Sequence, residues 1–194
     1  MRWAKYKNSN QGFSLIEVMV ALGILVTVSL GVAQLFSTAT RSNQAGRSRT
    51  SSSILAAEKM EQLRGLTWGF DNTALGLPLS DTTTDLSYDP PTNGGPGLNP
   101  SPSGTLQTNT TGYVDYLDQF GNWVGTGSTP PLAAIYIRRW SVEPLPTNPN
   151  NTLIFQVMVT TVVVEATEAK TVTGTRYRLR DDGWIVSVKT RKAS

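Results

Sequence analysis

The 194-residue sequence contains no cysteine and no histidine. Without cysteine, no disulfide can staple the fold, which must rest on packing and sheet pairing. The absence of cysteine does not identify the compartment. Without histidine, the chain lacks the commonest general base and the commonest zinc ligand. Together the two absences exclude Ser–His and Cys–His nucleophile pairs. No glycine-rich loop follows a strand pattern to cradle a phosphate. Asp181 and Asp182 sit at a predicted turn, where solvation accounts for them. Asp115, Asp118 and Asn122 could offer oxygen ligands to calcium, but their spacing matches no calcium-binding loop. We therefore expect no catalytic residue, no cofactor, no metal site and no enzymatic activity.

Charge is also scarce and unevenly placed. Arg2, Lys5 and Lys7 fall within the first twelve residues, which contain no acid. The remainder is balanced at 14 basic and 14 acidic residues, so the net charge of +3 belongs to the leader. A neutral body without a basic cluster argues against nucleic acid as a partner. Arg138 and Arg139 are adjacent in a strand-like stretch, which points them to opposite faces. The length suits one domain, or one domain plus an appendage.

No proline precedes Pro78, and one long apolar run fills part of that interval. From Phe13 to Phe36 there are 24 residues and a single charge, Glu17. A helix of that length extends about 36 Å, enough to cross a hydrocarbon layer of about 30 Å. The basic leader should stay in the cytoplasm while the bulk crosses outward. A cleaved secretory signal fits poorly, because the run is too long and contains a carboxylate. A plain single-span anchor leaves Glu17 unexplained. A carboxylate at mid-membrane costs about 2.5–3.5 kcal/mol on insertion scales, less near the inner end, and it needs a partner. No basic side chain lies between Lys7 and Arg41. A free α-amino group at Phe13, created by cleavage after Gly12, would be a suitable partner.

The stretch GFSLIEVMVALGIL, Gly12 to Leu25, resembles the N-terminal signal of type IV prepilins and type II secretion pseudopilins. The resemblance implies that prepilin peptidase cuts between Gly12 and Phe13 and then N-methylates Phe13. It also implies that Glu17 pairs with a neighbouring subunit's N-terminal amine during assembly. Many major pilins have a proline about 21 residues after the Phe, where this chain has Gln34. That departure favours a minor pilin or a pseudopilin.

Beyond Phe36 the chain turns polar without a helix breaker. Ala45, Ser52, Ala56, Met60 and Leu63 recur on one helical face, and Glu61 with Arg64 forms an i,i+3 pair. Gly65 is a plausible C-cap. The helix is thus expected over 13–65, with 13–36 as the membrane span. SILAAEKMEQLRGL within it resembles the segment after the anchor in PilV-type minor pilins. Residues 66–132 read as a variable, irregular connection. Asp89–Thr105 carries nine Gly or Pro in seventeen residues, the composition of a mobile surface loop. Tyr113–Gly125 contains a turn signal at Gly121–Asn122, compatible with a hairpin. From Ala133 the pattern becomes strand-like: 133–144, Leu153–Ala166, Thr171–Leu179 and the WIVSVKT stretch after Asp182–Gly183. Residues 133–194 should form an antiparallel sheet of three or four strands covered by the amphipathic half of the helix. That is an α+β architecture, the pilin fold.

The domain order is then a cleaved leader at 1–12, the helix, the connection and the sheet. The resemblance implies a minor subunit of a type IV pilus, acting in assembly or priming. Its partners would be other pilin or pseudopilin subunits, prepilin peptidase and inner-membrane lipid. The headgroup would lie outside the cytoplasm. A minor pseudopilin of a type II secretion system fits the same motif. A pilus-borne adhesin or DNA-binding module, with recognition placed in loop 71–132, is the alternative of a different class.

Overall fold

The computed structural model describes residues 12–71, 75–168 and 182–191. The leader before Gly12, the expected strand at Thr171–Leu179 and Asp181 lie outside the described residues. Two compact units divide the chain, Met1–Gln44 and Ala45–Ser194.

Helix α1 spans Leu15–Gly65. Its portion up to Phe36 is mostly apolar around the helix, and every large apolar side chain from Phe13 to Phe36 is exposed. Thr27 returns its hydroxyl to the Gly23 carbonyl at 2.8 Å, and Thr38 and Thr40 do the same four residues back. These bonds satisfy polar groups without water, as an apolar surrounding requires.

In the second unit α1 buries Ser52, Leu55, Ala56, Lys59, Met60 and Leu63. The expected stripe is present and is widened by Leu55 and Lys59. The helix ends at Gly65 as expected, and the Glu61–Arg64 pair forms at 3.0 Å on the exposed side. Lys189 Nζ caps this end by donating to the carbonyls of Arg64 and Leu66.

Among the described residues, nine strands follow. Two short antiparallel pairs come first, β1 (Trp68–Phe70) with β2 (Pro78–Ser80), and β3 (Thr84–Asp85) with β4 (Thr92–Asn93). The main sheet is antiparallel in the order β6-β5-β7-β8-β9. Its members are β5 (Val114–Leu117), β6 (Trp123–Thr126), β7 (Tyr136–Pro144), β8 (Thr152–Thr161) and β9 (Gly183–Thr190). One sheet face places Leu117, Trp140, Val142, Phe155 and Val157 in the same core as Leu55, Ala56, Met60 and Leu63 of α1. The opposite face carries a smaller cluster of Val114, Tyr116, Ala134 and Ile137.

The helix-on-sheet α+β fold is as expected, and three details differ. First, the described residues give the sheet five strands, because the hairpin of β5 and β6 joins it from within residues 66–132. The hairpin turn is held by Asp118, whose carboxylate accepts from the Phe120 and Asn122 amides at 2.8 and 2.9 Å. Gly121 there has φ 87°, a conformation that suits glycine. Second, Val162–Glu168 of the supposed strand Leu153–Ala166 is a short helix, α2. Thr161 Oγ1 accepts from the Val164 amide at 3.3 Å, an N-cap bond that outweighs the weak β preference of three valines. Third, the loop Asp89–Thr105 is fastened to the fold. Leu98 is buried in the core, and Ser101 exchanges hydrogen bonds with the Val142 backbone: its N–H donates at 2.9 Å and its Oγ accepts at 3.1 Å. That exchange covers the part of β7 that β5 is too short to pair.

Candidate functional site

The three residues singled out by sequence stand at the beginning of α1. Gly12 and Phe13 precede the helix, and Phe13 is 82% exposed. The Ser14 carbonyl accepts from the amides of Glu17 at 3.0 Å and Val18 at 3.2 Å, so Ser14 opens the helix. Glu17 therefore occupies the first turn. There the unpaired amides of the helix end favour a carboxylate by about 0.3–1 kcal/mol. The sequence Ser14-Leu15-Ile16-Glu17 also has the spacing of a capping box, a signal that sequence reasoning passed over. Helix geometry thus explains part of why an acid is tolerated here. It is not enough to offset the full cost of a carboxylate deep in lipid. Gly12 has open space around it among the described residues, with none of them within 4 Å of a notional Cβ, so no packing against them accounts for a glycine.

A second constellation, absent from the sequence reading, lies in the other unit. Lys59, Asp115 and Arg138 are all buried. Arg138 grips Asp115 with two parallel bonds, Nε to Oδ1 and Nη2 to Oδ2, both 2.8 Å. Lys59 Nζ lies 2.8 Å from the same Oδ2, donates to the Leu86 carbonyl at 2.6 Å, and sits 4.6 Å from the centre of the Trp140 ring. Arg138 also donates to the Leu55 carbonyl of α1 at 3.2 Å, and half-exposed Glu58 approaches it at 3.6 Å. Burial lowers the Lys59 ammonium to about 8, opposed by the nearby Asp115 carboxylate. The cluster ties α1 to β5 and β7 and has the form of a structural clamp. Its signal was present in the sequence: Lys59 falls in phase with Ala56 and Leu63, Asp115 with Tyr113 and Leu117, and Arg138 with Tyr136 and Trp140.

Arg139 points to the opposite face, as the strand alternation implied. Its guanidinium donates to Glu165 of α2 at 2.7 and 2.8 Å and to Asn109. The three oxygen donors considered for calcium are separated in role. Asp115 is committed to the buried cluster, while Asp118 and Asn122 bond one another across the hairpin turn at 3.0 Å. The Asn122 side chain, assisted by backbone amides, holds the Asp118 carboxyl below the usual range.

Residues 7–33 match the family model of the prokaryotic N-terminal methylation motif. The match encloses Gly12, Phe13 and Glu17. No curated protein and no solved structure matches the chain. Among the described residues, one helix, α1, is long and apolar enough to cross a membrane. A methylation motif at the start of that helix, followed by an antiparallel sheet packed on the helix's second half, supports reading this chain as type IV pilin-like.

Proposed function

We propose that the chain is a minor subunit of a type IV pilus that enters the filament and acts in its assembly or priming. One observation carries this reading: Gly12, Phe13 and Glu17 stand at the start of a helix whose residues 18–36 carry no charge and leave every large apolar side chain exposed. Prepilin peptidase would cleave between Gly12 and Phe13 and methylate the new amine. That amine would lie two residues before α1 begins. Glu17 would pair with the corresponding amine of a neighbouring subunit as the helix leaves lipid for the filament. The protein would cross the inner membrane once, with its sheet outside the cytoplasm. The resemblance of SILAAEKMEQLRGL to PilV-type minor pilins and the Gln34 in place of proline support a minor rather than a major subunit.

The test is mass spectrometry of the N-terminal peptide from membranes and sheared filaments. N-methyl-Phe13 is the expected terminus, and a filament subunit that retains its first twelve residues would refute the reading. Glu17→Ala should insert into membranes normally yet enter filaments at least about tenfold less.

Gln34 favours a minor pseudopilin of type II secretion equally well. Deletion separates the two readings, since loss of pili and loss of exoprotein release are different phenotypes.

A further inference from the structure

From Val18 to Ala57 the chain holds no acid, and the first charge in that stretch is Arg41. Gln34, Ser37, Arg41 and Gln44 lie three, four and three residues apart on α1, all exposed and all within the first unit. At about 100° per residue they share an arc of about 80° on one face of the helix. Gln34 sits inside the run whose large apolar side chains are exposed, and Leu30 continues the same face toward the N-terminal end. About 7.5 Å of helix separates Phe36, the end of that run, from Arg41. The polar layer on each side of a hydrocarbon core is about 5–7 Å thick. Helical side chains lean toward the N-terminus, and a long cationic one reaches for the interface. With the run in hydrocarbon, the Arg41 guanidinium therefore falls at the level of lipid headgroups. Among the described residues Arg41 forms no ion pair.

The order of groups along this face decides the partner. An arginine fork meets a phosphate with two parallel bonds. Ser37 and Gln34 follow toward the apolar run, and both can donate to the ester oxygens that lie beneath a phospholipid phosphate. Leu30 comes next, at the depth of an acyl chain. A zwitterionic headgroup also brings an ammonium, which would find no carboxylate here, since the nearest acids along the chain are Glu17 and Glu58. A headgroup of net negative charge has its one charge met by Arg41, and the Gln44 amide above it can bond a headgroup hydroxyl. We infer that this face of α1 holds one anionic phospholipid, with its phosphate on Arg41 and its ester region against Ser37 and Gln34. The inference rests on the reading of α1 as a membrane span and goes beyond it by naming the lipid class. It also gives Gln34 a task at the end of the apolar run.

The experiment reconstitutes the full chain in vesicles of phosphatidylcholine and phosphatidylglycerol in equal parts. The chain is then released into mixed micelles, and native mass spectrometry counts the lipids it retains. The unmodified sequence should retain phosphatidylglycerol over phosphatidylcholine. Arg41→Gln should lower the ratio of the two about fivefold, the worth of one arginine beside an anionic surface. Gln34→Leu leaves the charge in place and should lower the ratio at least about twofold. Arg47→Gln removes an equally exposed charge from outside the arc and should leave the ratio unchanged. The basic leader is the same in every variant, so its own attraction for anionic lipid cancels. An unchanged ratio in Arg41→Gln or in Gln34→Leu overturns the inference. So does an equal fall in Arg47→Gln, which would mean that charge acts without the face. An Arg41→Gln chain that keeps its lipids yet enters filaments poorly overturns it in favour of an acidic group on a neighbouring subunit. Resistance to alkaline extraction from the vesicles separates the two readings. An inserted chain without lipid preference overturns this inference alone, whereas a chain that fails to insert overturns the membrane span with it.

Discussion

Asp115 carries one negative charge between two buried cations, and that arrangement fixes what its loss would do. Asp115→Ala leaves Lys59 and Arg138 facing each other in a site that excludes water. Removing one partner of a buried pair costs about 3–5 kcal/mol, whereas an exposed i,i+3 pair contributes about 0.5 kcal/mol or less. Denaturant unfolding should therefore show a large loss for Asp115→Ala and almost none for Glu61→Ala, whose partner Arg64 is 54% exposed. Lys59 adds a pH dependence of definite sign. Burial, reinforced by Arg138 and opposed by Asp115, sets its folded value at about 8 against 10.5 for the free side chain. Between these values the unfolded chain holds more protons, so stability rises as pH climbs through that window. Below about 8 the cost of the buried ammonium is present in full. Tyr116 acts in the other direction: burial raises its phenol from 10.0 to about 12, so stability falls again above about pH 10. Lys189, lowered by burial and by Arg64, pushes the same way as Lys59. The unfolding midpoint should thus rise between about pH 7.5 and 9.5, and Lys59→Met should flatten most of that rise. A midpoint that falls over this interval would mean that the Asp115 attraction outweighs burial.

At the scale of elements, α1 comes close to the sheet at Gly183, the first residue of β9. A Cβ there would sit 2.4 Å from the Ser52 carbonyl carbon and oxygen. Both are backbone atoms, which cannot swing aside as a side-chain tip could. Gly183→Ala must push strand and helix apart, and overpacking of this kind costs about 1–3 kcal/mol. A drop in melting temperature for Gly183→Ala that exceeds the drop for Gly127→Ala in the open loop after β6 would locate that contact. Gly127 has φ 109°, so its alanine variant measures backbone strain without the clash. The same scale shows where the sequence was readable. The apolar run of α1, its stripe and its glycine end are local patterns, and they stand where periodicity put them. The hairpin was legible because Asp118, Gly121 and Asn122 are neighbours. Residues Val162–Glu168 were misread because their helix depends on a Thr161 cap and on Glu165 meeting Arg139, 26 residues earlier in the chain. The loop at 89–105 looked loose because its glycines and prolines outnumber Leu98 and Ser101, whose partners are distant. Of the candidate site, Gly12, Phe13 and Glu17 form one contiguous signal.

At the scale of the whole chain, the described core draws all of its residues from the second unit, beginning at Ser52. The first unit contributes no buried residue among those described, and its large apolar side chains are exposed, from Val32 at 46% to Phe13 at 82%. Covering one such side chain is worth about 1.5–3 kcal/mol, and more than a dozen lie along this stretch. So large an apolar surface calls for a covering, and the stretch is long and apolar enough to cross a bilayer. The second unit also exposes large apolar side chains, Ile54, Phe120 and Leu132 among them, but it buries a core of its own. Its segment of α1 is held by six buried residues, by Lys189 at its C-terminal end and by Arg138 at Leu55. Arg191 fastens the far edge, stacking 3.7 Å from the Trp68 ring and donating to Asn150 and Gly69. A fragment beginning at Ala45 should therefore be soluble without detergent and unfold in one cooperative transition. It should keep the same rise in stability between about pH 7.5 and 9.5 as the full chain in micelles, because every group in the Lys59 cluster is present. A fragment that binds hydrophobic dyes strongly or melts without a defined transition would mean that the apolar half of α1 contributes to the fold as well as to anchoring.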